Sequence, residues 1–151
     1  MKTSVIYLAS DHAGFVLRGL IHEHLKANKY KVIDLGPSRK ESVDYPDFGV
    51  KLAKELRKDY LSRGIAICGS GVGISISVNR FPWVRAALVS SLEAASLSRQ
   101  HNDANVLALG ERLIDPDLAL ACVDKFLNTE FEGGRHQGRV DKLSVINTGD
   151  S

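Results

Sequence analysis

Three features of the sequence predict an α/β fold with a doubly wound parallel sheet. Short apolar runs alternate with helix-length amphipathic segments from end to end; there are five runs, each strand-length and mostly β-branched or aliphatic. Within each run the apolar character is continuous rather than alternating, as in strands covered on both faces. Five β-α units in succession, with a right-handed crossover at each step, put helices on both faces of a five-stranded sheet. A chain of 151 residues suits one domain with a full core and is too short for two ordinary ones, so residues 1–151 are read as a single domain.

The elements follow in order. Strands are expected at Val5 to Ala9, Lys31 to Leu35, Gly64 to Cys68, Arg85 to Val89 and Asn105 to Leu109. Leu17, Leu20, Ile21 and Leu25 keep helical spacing, as do Phe48, Leu52 and Leu56, and mark the first two crossover helices. Ser90 with Glu93 fits a capping box for a helix through Ser98, and Asp115 before Pro116 fits an N-cap with proline at the first helical position. Ala119, Cys122, Val123 and Phe126 share one helical face, which makes Cys122 a core residue. From Phe131 the pattern lapses into Glu132-Gly133-Gly134-Arg135-His136-Gln137-Gly138-Arg139. This C-terminal arm, about 131–151, is too glycine-rich for a sixth unit and suits packing on a neighbouring subunit.

Composition narrows the function. The chain is 44% hydrophobic and 25% charged, as soluble globular proteins are, and 20 basic against 18 acidic residues leave a net charge of +2. That balance argues against a nucleic-acid partner and against an anionic membrane, so any bound anion is small and locally held. Ser4 to Ala9 is too short an apolar run for a signal peptide or a membrane span. Cys68 and Cys122, far apart and outside any paired spacing, read as free thiols of a cytoplasmic protein.

In a doubly wound sheet the ligand lies outside the carboxyl ends of the strands. The stretch Cys68-Gly69-Ser70-Gly71-Val72-Gly73 falls at a strand-to-helix junction, where the amides of Gly69 to Gly73 suit an anion or oxyanion cradle. It has neither the lysine of a Walker A loop nor the dinucleotide-binding spacing. On residue type alone Cys68 reads equally as a buried apolar side chain or a reactive thiol. Asp11 and His12, after the first strand, read as a helix cap and a surface residue or as an acid and an imidazole beside a ligand. His101 and Asn102 read as a polar loop or as further site residues. Convergence favours the second reading of each: strand-edge loops are expected to bring Asp11, His12, Cys68, His101 and Asn102 together, with Arg112, Arg135, His136 and Arg139 concentrating positive charge suited to a phosphate. A zinc site from His12, Cys68 and His101 lacks a close ligand pair.

The motifs SDHAG, DYPDFG, CGSGVGISI, HNDANVLALGER and GGRHQGRVDKL, in this order and over nearly the whole chain, resemble the ribose-5-phosphate isomerase B family, whose relatives include galactose-6-phosphate isomerase subunits. The resemblance implies a Rossmann-like aldose-ketose isomerase of the pentose phosphate pathway, with no metal or other cofactor. It implies a small sugar phosphate as substrate, and a homodimer or homotetramer with sites between subunits. Carried over residue by residue, it makes Cys68 the base that moves a proton between the two adjacent carbons that exchange the carbonyl. A thiol does this as its thiolate, which a helix N-terminus favours, and the enediolate formed needs the donors of Gly69, Ser70, Gly71, Val72 and Gly73. His101 and Asp11 match the ring-opening groups. Tyr45 and Asn102 match positions lining the sugar, and His12, Arg112, Arg135, His136 and Arg139 match the phosphate site.

Two departures from the family pattern bear on this. Ser70 stands where threonine is expected, with the hydroxyl preserved. Some relatives use a glutamate soon after the glycine turn in place of the cysteine; Ile74 stands there and cannot act as a base, so the chemistry depends on Cys68. The alternatives are a hexose-6-phosphate isomerase, acting on allose or galactose 6-phosphate, and a non-catalytic sugar-phosphate-binding subunit, which would need no base. A cysteine-dependent phosphatase would want an arginine within the glycine loop, and Gly69 to Gly73 contains none.

Overall fold

The computed structural model describes residues 3–145. Its strands are β1 (Ile6–Ser10), β2 (Val32–Asp34), β3 (Arg63–Cys68), β4 (Ala86–Leu88) and β5 (Val106–Gly110). Its helices are α1 (Phe15–Ala27), α2 (Tyr45–Leu56), α3 (Val72–Val78), α4 (Leu92–Gln100), α5 (Pro116–Leu127) and α6 (Arg135–Leu143). All strand pairs are parallel, in the order β2-β1-β3-β5-β4. This is the expected Rossmann-like α/β fold.

Side chains of the central strands divide between two cores, as the period-two geometry of a strand demands. Ile6, Leu8, Ile65, Ile67, Leu107 and Leu109 face Leu17, Ile21 and Leu25 of α1 and Cys122, Val123 and Phe126 of α5. Tyr7, Ala9, Ala66 and Cys68 face Leu52, Ala53 and Leu56 of α2 and Ile74 and Val78 of α3. Small residues on that second face let α2 lie close: a Cβ on Gly64 would stand 2.9 Å from Leu52 Cδ1. Helices therefore cover both faces, and β1, β3 and β5 are buried almost throughout.

The chain winds outward from β1 to the β2 edge, returns through α2 to β3, and then winds the other way to the β4 edge. The winding reverses between β1 and β3. Their carboxyl ends, where Ser10 pairs with Ile67, form the crevice in which such sheets bind ligands.

Two local expectations are corrected. The cap of α4 is Ser91, whose hydroxyl accepts from Ala94 N at 3.1 Å, so the start of this helix lies one residue beyond the Ser90 box. The arm is not irregular: Arg135 to Leu143 is helical, turned by Gly133 and Gly134 at φ 67° and 55° and anchored by buried His136 and Val140. Gly133 and Gly134 act before the helix, where positive φ is cheap for them. Residues 146–151 of the expected arm lie outside the described residues. Asp115 caps α5 as expected, accepting from Asp117 N at 2.9 Å.

Candidate active site

At the crevice, β3 ends on Cys68, which is 4% exposed. The next residues turn so tightly that Gly71 N–H donates to Cys68 Sγ at 3.2 Å. Gly71 takes φ 77°, and a Cβ there would stand 2.8 Å from Leu109 C and also meet Leu88, so only glycine fits this turn. This backbone donor fixes the sulfur in one orientation at the crevice. Cys122 is the contrast: burial alone pushes its thiol up, and no partner is aimed at its sulfur in the described structure.

Ser70 Oγ accepts from Val72 N at 3.1 Å, which leaves its hydroxyl proton to donate to a ligand. Two of the five amides assigned to the cradle, those of Gly71 and Val72, are therefore already engaged, and the cradle narrows to Gly69, Ser70 and Gly73. Tyr45, at the start of α2, packs against the loop where a Cβ on Gly73 would stand 2.7 Å from its ring Cζ. Arg112 N–H donates to Gly69 O at 3.0 Å, and a Cβ on Gly69 would stand 3.0 Å from the Arg112 guanidinium. This puts a cation beside the thiol turn.

The loop after β1 supplies the acid. Asp11 Oδ1 accepts from Gly14 N at 3.1 Å, capping the single 3-10 turn of residues 12–14. The helix-cap reading therefore holds for one carboxylate oxygen and leaves Oδ2 for chemistry. His12 Nδ1 lies 3.2 Å from both N and O of Val43, tying the ring to the loop after β2 and leaving Nε2 for a ligand.

Sequence reasoning missed two residues that position this edge. Arg18, 5% exposed on α1, donates from Nη1 to Ser10 Oγ at 2.6 Å and from Nη2 to Pro37 O. Its Nε lies 3.0 Å from Asp34 Oδ1, a charge contact without hydrogen-bond alignment. Ser10 in turn donates to Asp11 O at 2.9 Å, so Arg18 fastens the β1 and β2 loops together. A cation on the stripe of Leu17, Ile21 and Leu25 was the available signal. Glu111 Oε1 accepts from Leu17 N at 2.6 Å and closes the α1 N-terminus that Gly14 leaves without a side-chain cap.

The remaining expected residues lie elsewhere. Helix α4 runs back from the carboxyl edge, so His101 and Asn102, between α4 and β5, sit at the amino edge of the sheet. The five residues of β5 separate them from the level of Cys68, roughly 13 Å along the strand. Helix α5 also runs back, and Glu132 N–H donates to Gln100 O at 3.1 Å, which seats α6 beside this loop. The expected convergence at one edge of one chain is thus corrected: Asp11, His12, Tyr45, Cys68, Gly69 to Gly73 and Arg112 gather at the carboxyl edge, while His101, Asn102, Arg135, His136 and Arg139 gather at the amino edge.

That second group lines a groove of about 430 Å³ with Val140 and Leu143. Its imidazoles stack, His101 on His136 at 4.3 Å between centroids and 15° between planes. Desolvation, the His101 ring and Arg135 hold His136 below the usual imidazole range. Arg99, buried on α4, fixes the loop by donating to Asp103 Oδ1 at 2.8 Å and Ala104 O at 2.6 Å.

The ribose/galactose isomerase family profile matches residues 6–143. The chain belongs to that family. It is 44% identical over 141 residues to ribose-5-phosphate isomerase B of Escherichia coli, covering 93% of this chain and 95% of the relative. Among solved members of the family, ribose-5-phosphate isomerase B of Clostridium thermocellum superposes with a TM-score of 0.94 at 50% identity, over 97% of this chain and 99% of the other. The Mycoplasma genitalium enzyme, solved with bound ribulose-5-phosphate, gives a TM-score of 0.92 at 44% identity over 95% and 96% of the two chains. No helix among the described residues is long and apolar enough to cross a membrane.

Proposed function

We propose that the protein interconverts ribose 5-phosphate and ribulose 5-phosphate, as a cytoplasmic enzyme of the pentose phosphate pathway whose residues 1–151 form one domain. The observation that carries this is the Cys68 turn: a thiol with a backbone donor on its sulfur, at the switch point of the sheet and on the same edge as Asp11. Binding alone needs no such group. Asp11 and His101 open the cyclic sugar. The Cys68 thiolate then takes the C2 proton of the open-chain aldose, the electrons pass to the C1 carbonyl oxygen, and Ser70 with the amides of Gly69 and Gly73 stabilises the enediolate. Return of the proton to C1, with the O2 proton passing to O1, gives the ketose. His12, Arg112, Arg135, His136 and Arg139 hold the phosphate, and Tyr45 and Asn102 line the sugar.

One chain separates these groups, so the reading requires a homodimer in which the carboxyl edge of one subunit meets the amino edge of its partner. Val72, Ile76, Leu88, Leu92 and Leu113 are exposed around the carboxyl edge and β4. A cavity of about 350 Å³ beside Ser70 is lined largely by apolar residues of the same region. Such a surface is what a subunit interface would bury.

Isomerisation of ribose 5-phosphate, allose 6-phosphate and galactose 6-phosphate with chelator present, and with Cys68→Ala alongside, tests the reading. Pentose turnover is expected, with the variant folded and nearly inactive. Near-normal kcat in Cys68→Ala would remove the mechanism, and turnover of a hexose phosphate alone would change the substrate.

A further inference from the structure

Beside the amino-edge groove lies a constellation whose third member, Glu132, has no use in ring opening or phosphate binding. His101 Nε2 and His136 Nε2 lie 3.9 and 3.6 Å from one atom, Glu132 Oε1. One ligand atom from each residue falls within 4.8 Å of the other two. A tetrahedral divalent ion at about 2.0–2.1 Å from nitrogen and oxygen ligands spaces them about 3.3 Å apart. The observed separations from Glu132 are a few tenths of an ångström wider. Closing them requires the stacked rings to open toward a common point. His101, 39% exposed at the end of α4, has room to tilt, whereas His136 is held by burial.

We propose that His101, Glu132 and His136 form a binding site for a divalent transition-metal ion of the Zn²⁺ class, and that its occupancy inhibits the enzyme by withdrawing His101 from the sugar. The binding half stands on the geometry; the inhibitory half rests on the isomerase reading.

The donor set selects the ion. Two imidazoles and one carboxylate suit Zn²⁺, Co²⁺ or Ni²⁺, whereas Ca²⁺ and Mg²⁺ demand oxygen ligands in larger number. The groove gives the ion an entry path and space for water as a fourth ligand. Arg135 and Arg139 on its wall oppose a bare dication, which places the affinity below that of closed four-ligand sites. Glu132 is the one member with no part in the isomerase mechanism, so it separates the two functions.

The test titrates the full chain with Co²⁺, followed by visible absorption, and with Zn²⁺ by calorimetry, in wild type, Glu132→Gln and Cys68→Ala without substrate. Wild type and Cys68→Ala are expected to bind equally, one Co²⁺ per chain, without a thiolate charge-transfer band. Glu132→Gln is expected to bind at least about tenfold more weakly. With ribose 5-phosphate, Zn²⁺ should inhibit wild type competitively and reversibly by chelator, while Glu132→Gln keeps basal turnover and resists. Binding lost in Cys68→Ala but kept in Glu132→Gln, or no binding at all, would overturn the site. Binding as expected without inhibition would overturn the inhibitory half alone, and a protein that isomerises no sugar would sink the isomerase reading while the Co²⁺ spectra still decide the site.

Discussion

The two edges of the sheet hold their functional groups by different means. At the carboxyl edge each reactive side chain is fixed by main chain: Cys68 by Gly71 N–H, Asp11 by Gly14 N–H, Ser70 by Val72 N–H and His12 by Val43. At the amino edge His101 is held by a side chain, through its stack on His136. Proton transfer gains from groups that need no reorganisation, and the carboxyl edge is built that way. A groove held by side chains can adjust to the sugar and phosphate it receives. Neither edge holds the full set of groups, so the comparison turns on whether they meet across subunits.

Complementation breaks or sharpens that point with the largest effect. Cys68→Ala and His101→Ala are each expected to be nearly inactive alone. Unfolded, mixed in equal amounts and refolded together, they should recover about a quarter of wild-type activity, because half the dimers are mixed and each mixed dimer has one intact site. No recovery from subunits shown to have exchanged would mean that Cys68 and His101 do not serve one site between chains.

Next in size is Arg18, which acts only on the carboxyl edge. Arg18→Met removes the donors that hold Ser10 Oγ and Pro37 O, and frees the Asp11 loop from the loop after β2. A fall in kcat of about tenfold with KM little changed is expected, since Asp11 is displaced while the phosphate contacts remain. Arg18→Lys, keeping the charge and one donor, should recover part of the loss. A lower melting temperature with unchanged kcat in the folded fraction would reduce Arg18 to a structural role.

Most of the fold was legible because burial on both faces writes continuous apolar runs into β1, β3 and β5, and because Asp115-Pro116 spells out a helix start. The Ser90 box missed by one residue since either of two adjacent serines can cap, and only the geometry of Ser91 with Ala94 chooses. Helix α6 was hidden by glycine content, yet Gly133 and Gly134 shape its entry, and Gly138 alone of the three lies in its interior. For the site, residue types and edge assignment must be separated. A loop after a helix and before a parallel strand belongs to the amino edge, so the position of His101 was implicit in chain order. Chemical kinship with Cys68 and Asp11 argued for one cluster and obscured it. Arg18 was hidden because an arginine beside apolar stripe residues usually extends to solvent.

The smallest expected effect contrasts two glycines, one from each region. Gly71 has no room for a methyl group and a backbone that L-residues resist, whereas a Cβ on Gly138, inside α6, meets nothing within 4 Å and its φ is ordinary. Gly138→Ala should therefore stabilise the protein by about 0.5–1 kcal/mol, through lower chain entropy before folding and better helix propensity. For a chain of this size that is a rise in melting temperature of about 1–4 °C, read by thermal unfolding at fixed protein concentration. A fall in its place, joined by weaker self-association, would mean that another subunit occupies the space beside Gly138.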